Sequence, residues 1–292
     1  MKPASFYYLK PASLDEAVEM LAEHGDDARV LAGGQSLVPL LNMRLARPAV
    51  LIDINGLPDL DQIDETGGKL VVGALCRQSR LSCDPLIDAR LPLLAATAAL
   101  MSHPQIRNRG TIVGSIAHGD PSAELPAVAL LLDAKLRVRG RHRERLLDIG
   151  EFYQGYFATT LAPGELVIEV LLPVPTSATG WSIHEISRRH GDFALAGVTC
   201  LMTVSGATIE RCRLAGFGVA GSAIRFPHLE ARLEGEPPSP ELFRLVSADI
   251  GAYLTPTSDP HASAEYRKAL AVELCHRALQ EAWARSRPDS TG

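Results

Sequence analysis

The sequence predicts an α+β protein in two parts, and three observations carry that reading. Strand-like and helix-like runs are mixed through the first 176 residues. A segment of prolines and small residues, Pro173-Val174-Pro175-Thr176-Ser177-Ala178-Thr179-Gly180, then breaks the pattern as a linker would. Beyond it, three strand-like runs are followed by three helical ones, which reads as a small three-stranded antiparallel sheet with helices on one side. The 292 residues are enough for two domains, at roughly 100–200 residues each. The expected division is residues 1–176, with subdomains of about 1–56 and 57–176, then 177–286, then a disordered tail at 287–292.

Element by element, Ser13-Leu14-Asp15-Glu16 is a capping box, followed by Ala17, Val18 and Leu21 at helical spacing and ended by Gly25. Ala28 to Ala32 reads as a short buried strand running into Gly33-Gly34. Ser36 to Leu45 reads as a helical turn despite Pro39, and Ala49 to Ile54 as a second strand. Strand, glycine turn, helix and strand in that order make a small α/β unit. Further strands are expected at Lys69–Gly73, Lys135–Gly140 and Glu165–Leu172, with helices at Arg90–Met101 and Ala123–Leu132. In the second part, strands fall at Trp181–Arg189, Phe193–Val204 and Thr208–Val219. Helices follow near Pro227–Leu233, Pro240–Leu254 and Ala262–Ala284.

Composition narrows the function. The net charge is −5, with no long basic run, so nucleic acid is not an expected partner. The N-terminal Met1-Lys2-Pro3-Ala4-Ser5-Phe6 lacks an apolar targeting core and no apolar stretch approaches bilayer length, so a cytoplasmic protein with no membrane insertion is expected. Five scattered cysteines (Cys76, Cys83, Cys200, Cys212, Cys275) form no C-x-x-C pair, and no metal site is expected.

Two glycine-bearing segments carry chemistry. Ala32-Gly33-Gly34-Gln35-Ser36-Leu37 stands where a strand gives way to a helix. Glycines there allow successive N–H groups to face one anion, with Ser36 as a hydroxyl donor, and a phosphate or pyrophosphate would fit. The plain alternative is a tight turn with a serine cap. The second, Arg107 to Pro126, is polar and rich in small residues between apolar helices, and reads as a ligand-contacting loop with Thr111, Ser115 and Asp120 as donors or acceptors.

These two segments, in this order and spacing, with Gly191-Asp192-Phe193 before a strand, resemble the FAD-binding medium subunit of the molybdenum hydroxylases, the family of carbon monoxide dehydrogenase and xanthine dehydrogenase. The resemblance runs from about Phe6 to Ala284 and continues through Pro39-Leu40-Leu41-Asn42-Met43-Arg44. It implies a two-subdomain FAD domain of the vanillyl-alcohol-oxidase (PCMH) type, followed by the small C-terminal domain. It also implies that Ala32, Gly33, Gly34, Gln35, Ser36 and Leu37 wrap the FAD pyrophosphate. Gly110, Thr111, Gly114, Ser115 and Asp120 would form the opposing loop, and Asp192 and Phe193 would lie near the isoalloxazine ring. Arg29 stands where relatives usually have Lys, and Val113 where they usually have Gly.

The implied function is electron transfer within a heteromeric complex, a dimer of heterotrimers. Partner [2Fe–2S] clusters feed the flavin, a large molybdopterin subunit oxidises substrate, and an external acceptor takes the electrons. No side chain of this chain need be catalytic. A stand-alone FAD-dependent oxidoreductase of the same fold and a non-catalytic interaction subunit are the alternatives. Gly216-Phe217-Gly218-Val219-Ala220-Gly221 matches G-x-G-x-x-G, but Ser222 to Pro227 does not continue as a helix, so close packing explains the glycines better than a dinucleotide does. His103 and His118, with Asp120 and Glu124 nearby, read as hydrogen-bonded or surface residues in the absence of a positioned substrate proton.

Overall fold

A computed structural model describes residues 2–175 and 179–287; linker residues 176–178 and the expected tail from residue 288 lie outside the described residues. The chain opens with β1 (Tyr7–Leu9), α1 (Leu14–His24), β2 (Ala28–Leu31), α2 (Leu37–Asn42) and β3 (Val50–Asp53). β1 and β2 flank β3, all parallel, as the strand–helix–strand order requires. The α1 cap forms: Ser13 Oγ accepts from the Glu16 amide at 3.1 Å, while Glu16 Oε2 accepts from the Ala12 amide at 2.6 Å, one residue ahead of the cap.

The second subdomain holds β4 (Ile63–Thr66), β5 (Lys69–Gly73), α3 (Pro85–Arg90), α4 (Pro92–Leu100), α5 (Pro104–Arg107), α6 (Ile112–His118) and α7 (Glu124–Leu131). It continues with β6 (Lys135–Arg139), β7 (Glu144–Asp148), β8 (Tyr153–Gly155), β9 (Ala158–Thr159) and β10 (Leu166–Pro173). Its main sheet runs β4-β5-β10-β6-β7 with every neighbour antiparallel. The helix expected over Arg90–Met101 is broken at Leu91, which is extended (φ −141°, ψ 64°) because Pro92 follows it.

Past the linker come β11 (Thr179–Ser187), β12 (Ala194–Ser205), β13 (Thr208–Phe217) and β14 (Ile224–Arg225), then α8 (Pro227–Leu233), α9 (Pro240–Asp249) and α10 (Ala264–Arg285). The three expected antiparallel strands are present in sequence order, and two-residue β14 adds a fourth at the edge. Strand alternation splits this sheet into two faces. Ala196, Val198, Cys200, Met202 and Cys212 pack with α8, α9 and α10, whereas Ile183, Leu201, Ala215 and Phe217 join the core of the first domain. The C-terminal sheet is therefore covered on both faces, and its β11–β12 end is held beside the first domain.

A charged seam reinforces the junction. Arg225 donates to Glu230 (2.8 and 2.7 Å) and to Asp133 (2.8 Å), joining α8 to the turn after α7. The G-x-G-x-x-G segment is structural: Gly216 belongs to β13 and lies under Phe226, Gly218 has φ +73°, and the next helix waits until Pro227.

Candidate functional site

One cleft of about 550 Å³ lies where the two subdomains and the β11–β12 end converge. That size suits a bound cofactor, since such sites usually measure roughly 300–1,000 Å³. Of the residues singled out in the sequence, Arg29, Ala32, Gly33, Gly34, Gln35, Ser36, Leu37, Gly110, Thr111, Gly114, Ser115, Asp192 and Phe193 all line it. Asp120 does not. Its Oδ1 accepts the Ser122 amide at 2.9 Å, and the residue closes the turn between α6 and α7 instead of facing the cleft.

The first wall is residues 32–37. Gly34, at φ +72°, turns the chain out of β2, and Gly33 brings it against the second wall. A Cβ on Gly33 would stand 2.6 Å from the Arg109 carbonyl oxygen and 2.7 Å from Gly110 Cα, so only glycine permits this approach. Among the described residues, no protein acceptor takes the amide N–H groups of Gly33 through Leu37, and the Ser36 hydroxyl makes no hydrogen bond. This distinguishes the segment from an ordinary capped turn, in which Ser36 would accept from an amide of α2. Arg29, at the base of β2, donates to the carbonyls of Asp26 (2.9 Å) and Ala28 (2.7 Å), which places a cation beside this wall.

The second wall differs from the loop expected over residues 107–126. Residues 112–118 form α6, capped by Thr111 Oγ1, which accepts from the Gly114 amide at 3.0 Å. Glycine, serine and threonine favour loops, but burial of Ile112, Val113 and Ile116 in the main core outweighs that preference. Val113 therefore spends its branched side chain on the core, while Gly114 and Ser115 line the cleft; the Ser115 hydroxyl is also without a partner among the described residues.

Gln78 holds this wall in place and carried no local signal in the sequence. Its amide donates to the Gly110 carbonyl at 2.9 Å, and a Cβ on Gly110 would stand 2.6 Å from its Oε1. Met101, Ser102, Ile106, Leu161 and Glu165 also line the cleft and were not singled out. At the far end Gly191, with φ +88°, turns the chain between β11 and β12 and leaves Phe193 62% exposed.

Glu124 lines the cleft, and Glu185 and Asp120 lie half-buried outside its lining. Burial pushes the Glu124 carboxyl up to about 7, and burial with the Glu124 charge nearby pushes Glu185 up to about 8. Burial likewise raises the Asp120 carboxyl and lowers the His118 imidazole, whose ring lies 5.1 Å from that of Phe157. His118 lines the cleft, yet among the described residues no acid is hydrogen-bonded to it to orient a proton transfer.

Unpartnered amides and hydroxyls on one wall, a backbone approach that only glycine allows and a cleft of this volume fit a phosphate-bearing cofactor as large as FAD. The fold and the cleft together define a flavin-binding protein of two domains. Residues 4–175 match the FAD binding domain in molybdopterin dehydrogenase, and residues 181–282 match the CO dehydrogenase flavoprotein C-terminal domain. The chain is 40% identical to the 6-hydroxypseudooxynicotine dehydrogenase complex subunit alpha of Paenarthrobacter nicotinovorans, over 99% of this chain and 98% of that one. It is 39% identical to the carbon monoxide dehydrogenase medium chain of Hydrogenophaga pseudoflava, over 98% and 99%. Among solved structures it superposes on carbon monoxide dehydrogenase from Hydrogenophaga pseudoflava with a TM-score of 0.95 (39% identity, 98% and 99% covered). It also superposes on quinoline 2-oxidoreductase from Pseudomonas putida 86 with a TM-score of 0.92 (33% identity, 98% and 100% covered). The chain belongs to the FAD-binding medium subunits of the molybdenum hydroxylase family. No described helix is long and apolar enough to cross a membrane.

Proposed function

We propose that this chain is the electron-transfer station of a heteromeric molybdenum hydroxylase. Its flavin would be fed by [2Fe–2S] clusters of a small partner subunit, while a large molybdopterin subunit oxidises the substrate and an external acceptor takes the electrons. The observation that carries this reading is the pairing of Gly33 and Gly110 across a cleft whose first wall offers unpartnered amides. FAD, when bound, supplies the redox chemistry, exchanging one or two electrons.

The chain's own residues bind and position it. The amides of Gly33 to Leu37 and the Ser36 hydroxyl would donate to the pyrophosphate, and the Arg29 guanidinium adds positive charge at that end. Gly110, Thr111, Gly114 and Ser115 would close the opposite side, with Asp192 and Phe193 at the ring end, where exposed Phe193 governs access. Asp120 would act at one remove, by fixing the α6–α7 turn. A division of the chain at residues 176–177 agrees with the ends of the two matched segments.

The test is co-purification with the partner subunits, assayed for FAD, iron and molybdenum. All three in one complex support the reading. A chain that turns over substrate without partners would favour the stand-alone oxidoreductase instead.

A further inference from the structure

The charge of this chain is unevenly placed. Its net charge is −5, yet two short segments that border the cleft, residues 102–110 and 187–193, hold Arg107, Arg109, Arg188 and Arg189 against the single acid Asp192. His103 and His190 stand beside them. The segments touch, since a Cβ on Gly191 would stand 2.7 Å from His103 Cε1. Both also reach the cleft: Ser102, Ile106 and Gly110 come from one, and Gly191, Asp192 and Phe193 from the other.

Half of the arginines of this protein, twelve of 24, pair with carboxylates among the described residues, as Arg137 does with Glu144 and Glu169, Arg145 with Glu165, Arg232 with Asp249 and Arg277 with Glu273. The four on these two segments belong to the other half; among the described residues no Asp or Glu pairs with them. Arg107 donates to the carbonyls of Met101 and Ser102, both at 2.6 Å, and Arg188 lies 2.9 Å from a ring nitrogen of His261. These contacts hold side chains in place without cancelling their charge. Such a collar attracts anions; Arg189 accepts the Asp192 amide through its carbonyl at 3.0 Å, one residue before exposed Phe193, and an aromatic face next to guanidinium-bearing chain suits a planar anion.

We propose that this collar is the docking site of the external electron acceptor, and that the acceptor is a small, planar, negatively charged molecule. The proposal rests on the reading that the cleft holds a flavin which discharges outward at Phe193. In the step itself, two electrons would pass from the reduced flavin (FADH⁻, which returns to FAD) to the anionic acceptor, and the one proton released would pass to bulk water.

The test uses the FAD-loaded complex, reduced anaerobically with dithionite and mixed with one of two outer-sphere oxidants. These are the anion ferricyanide, two equivalents per flavin, and the cation hexaammineruthenium(III). Between about 10 and 300 mM salt the ferricyanide rate should fall roughly tenfold or more while the ruthenium rate does not fall. The double variant Arg188→Glu, Arg189→Glu touches none of the cleft wall. It should keep its FAD content and melting temperature, and reverse the preference between the two oxidants.

A second readout needs no turnover: fluorescence titration of the chain with pyranine, a planar trianion, should give a dissociation constant at least tenfold weaker in the double variant. Equal pyranine binding by both proteins, or salt dependence of the same sign for both oxidants, overturns the proposal. Charge dependence seen only with an acidic redox protein would also overturn it, in favour of a protein acceptor. Failure to take up FAD would remove the flavin reading, and the pyranine titration would still decide the collar.

Discussion

Replacing Gly33 by Ala should weaken flavin binding by a definite amount. The new methyl would stand 2.6 Å from the Arg109 carbonyl oxygen and 2.7 Å from Gly110 Cα, where ordinary contact begins at 3.4 Å. The two walls must therefore part by about 0.8 Å, or the 32–37 segment must tilt, and either change displaces the amides that face the cleft. Overpacking of this kind costs roughly 1–3 kcal/mol. Charged entirely to the bound state, that is about a 5- to 150-fold rise in the dissociation constant. The assay is titration of FAD-stripped protein with FAD, followed by quenching of flavin fluorescence, beside the control Gly150→Ala, whose Cβ would meet nothing within 4 Å. A Gly33→Ala protein that folds and binds FAD within twofold of wild type would refute the claim that the walls must approach this closely.

Other predictions follow from the same geometry. Glu124 and Glu185 have folded pKa values raised above the ordinary carboxylate range, so the folded chain holds more protons than the unfolded one between about 4.5 and 8. Stability of the flavin-free protein is thus fullest below about pH 4.5 as far as these two groups are concerned, and falls as pH rises through 7 and 8. Glu124→Gln should remove about 3 kcal/mol of that loss, visible as a flatter curve of melting temperature against pH. An unchanged slope would mean that the carboxyl is solvated. Gln78→Ala frees Gly110 from its side-chain neighbour, and should weaken FAD binding several-fold with far-UV circular dichroism intact. Glu230→Ala leaves Arg225 with Asp133 as its remaining acid partner and strands the Leu214 amide, which Glu230 accepts at 2.8 Å; urea unfolding should show a loss of about 1–3 kcal/mol, and no measurable loss would contradict the role given to that pair.

What could be read in the sequence was what is local. The α1 cap, the glycine turn after β2 and the Gly191 turn are each fixed by residues a few positions apart, and each lies where expected. The order of strands in the C-terminal sheet followed from short connections between antiparallel neighbours. Residues 112–118 were misjudged because their composition favours loops, and only the distant core that receives Ile112, Val113 and Ile116 makes them helical. Gln78 was missed for a similar reason: it supports Gly110 from 32 positions away, across a bridge between Arg77 and Thr111. The resemblance implies that Asp120 belongs to the wall, whereas its Oδ1 accepts the Ser122 amide within the α6–α7 turn. The unpaired collar arginines were also invisible, since the partners of a surface arginine depend on the fold.

The measurement that bears most directly on the account is flavin content and reducibility in the chain alone and in the assembled complex. The account predicts one FAD per chain, retained or taken up on titration, and bleached by the substrate of the complex only when the iron–sulfur and molybdopterin subunits are present. A colourless chain that takes up no FAD, or a flavin that the substrate reduces in the chain alone, would contradict it.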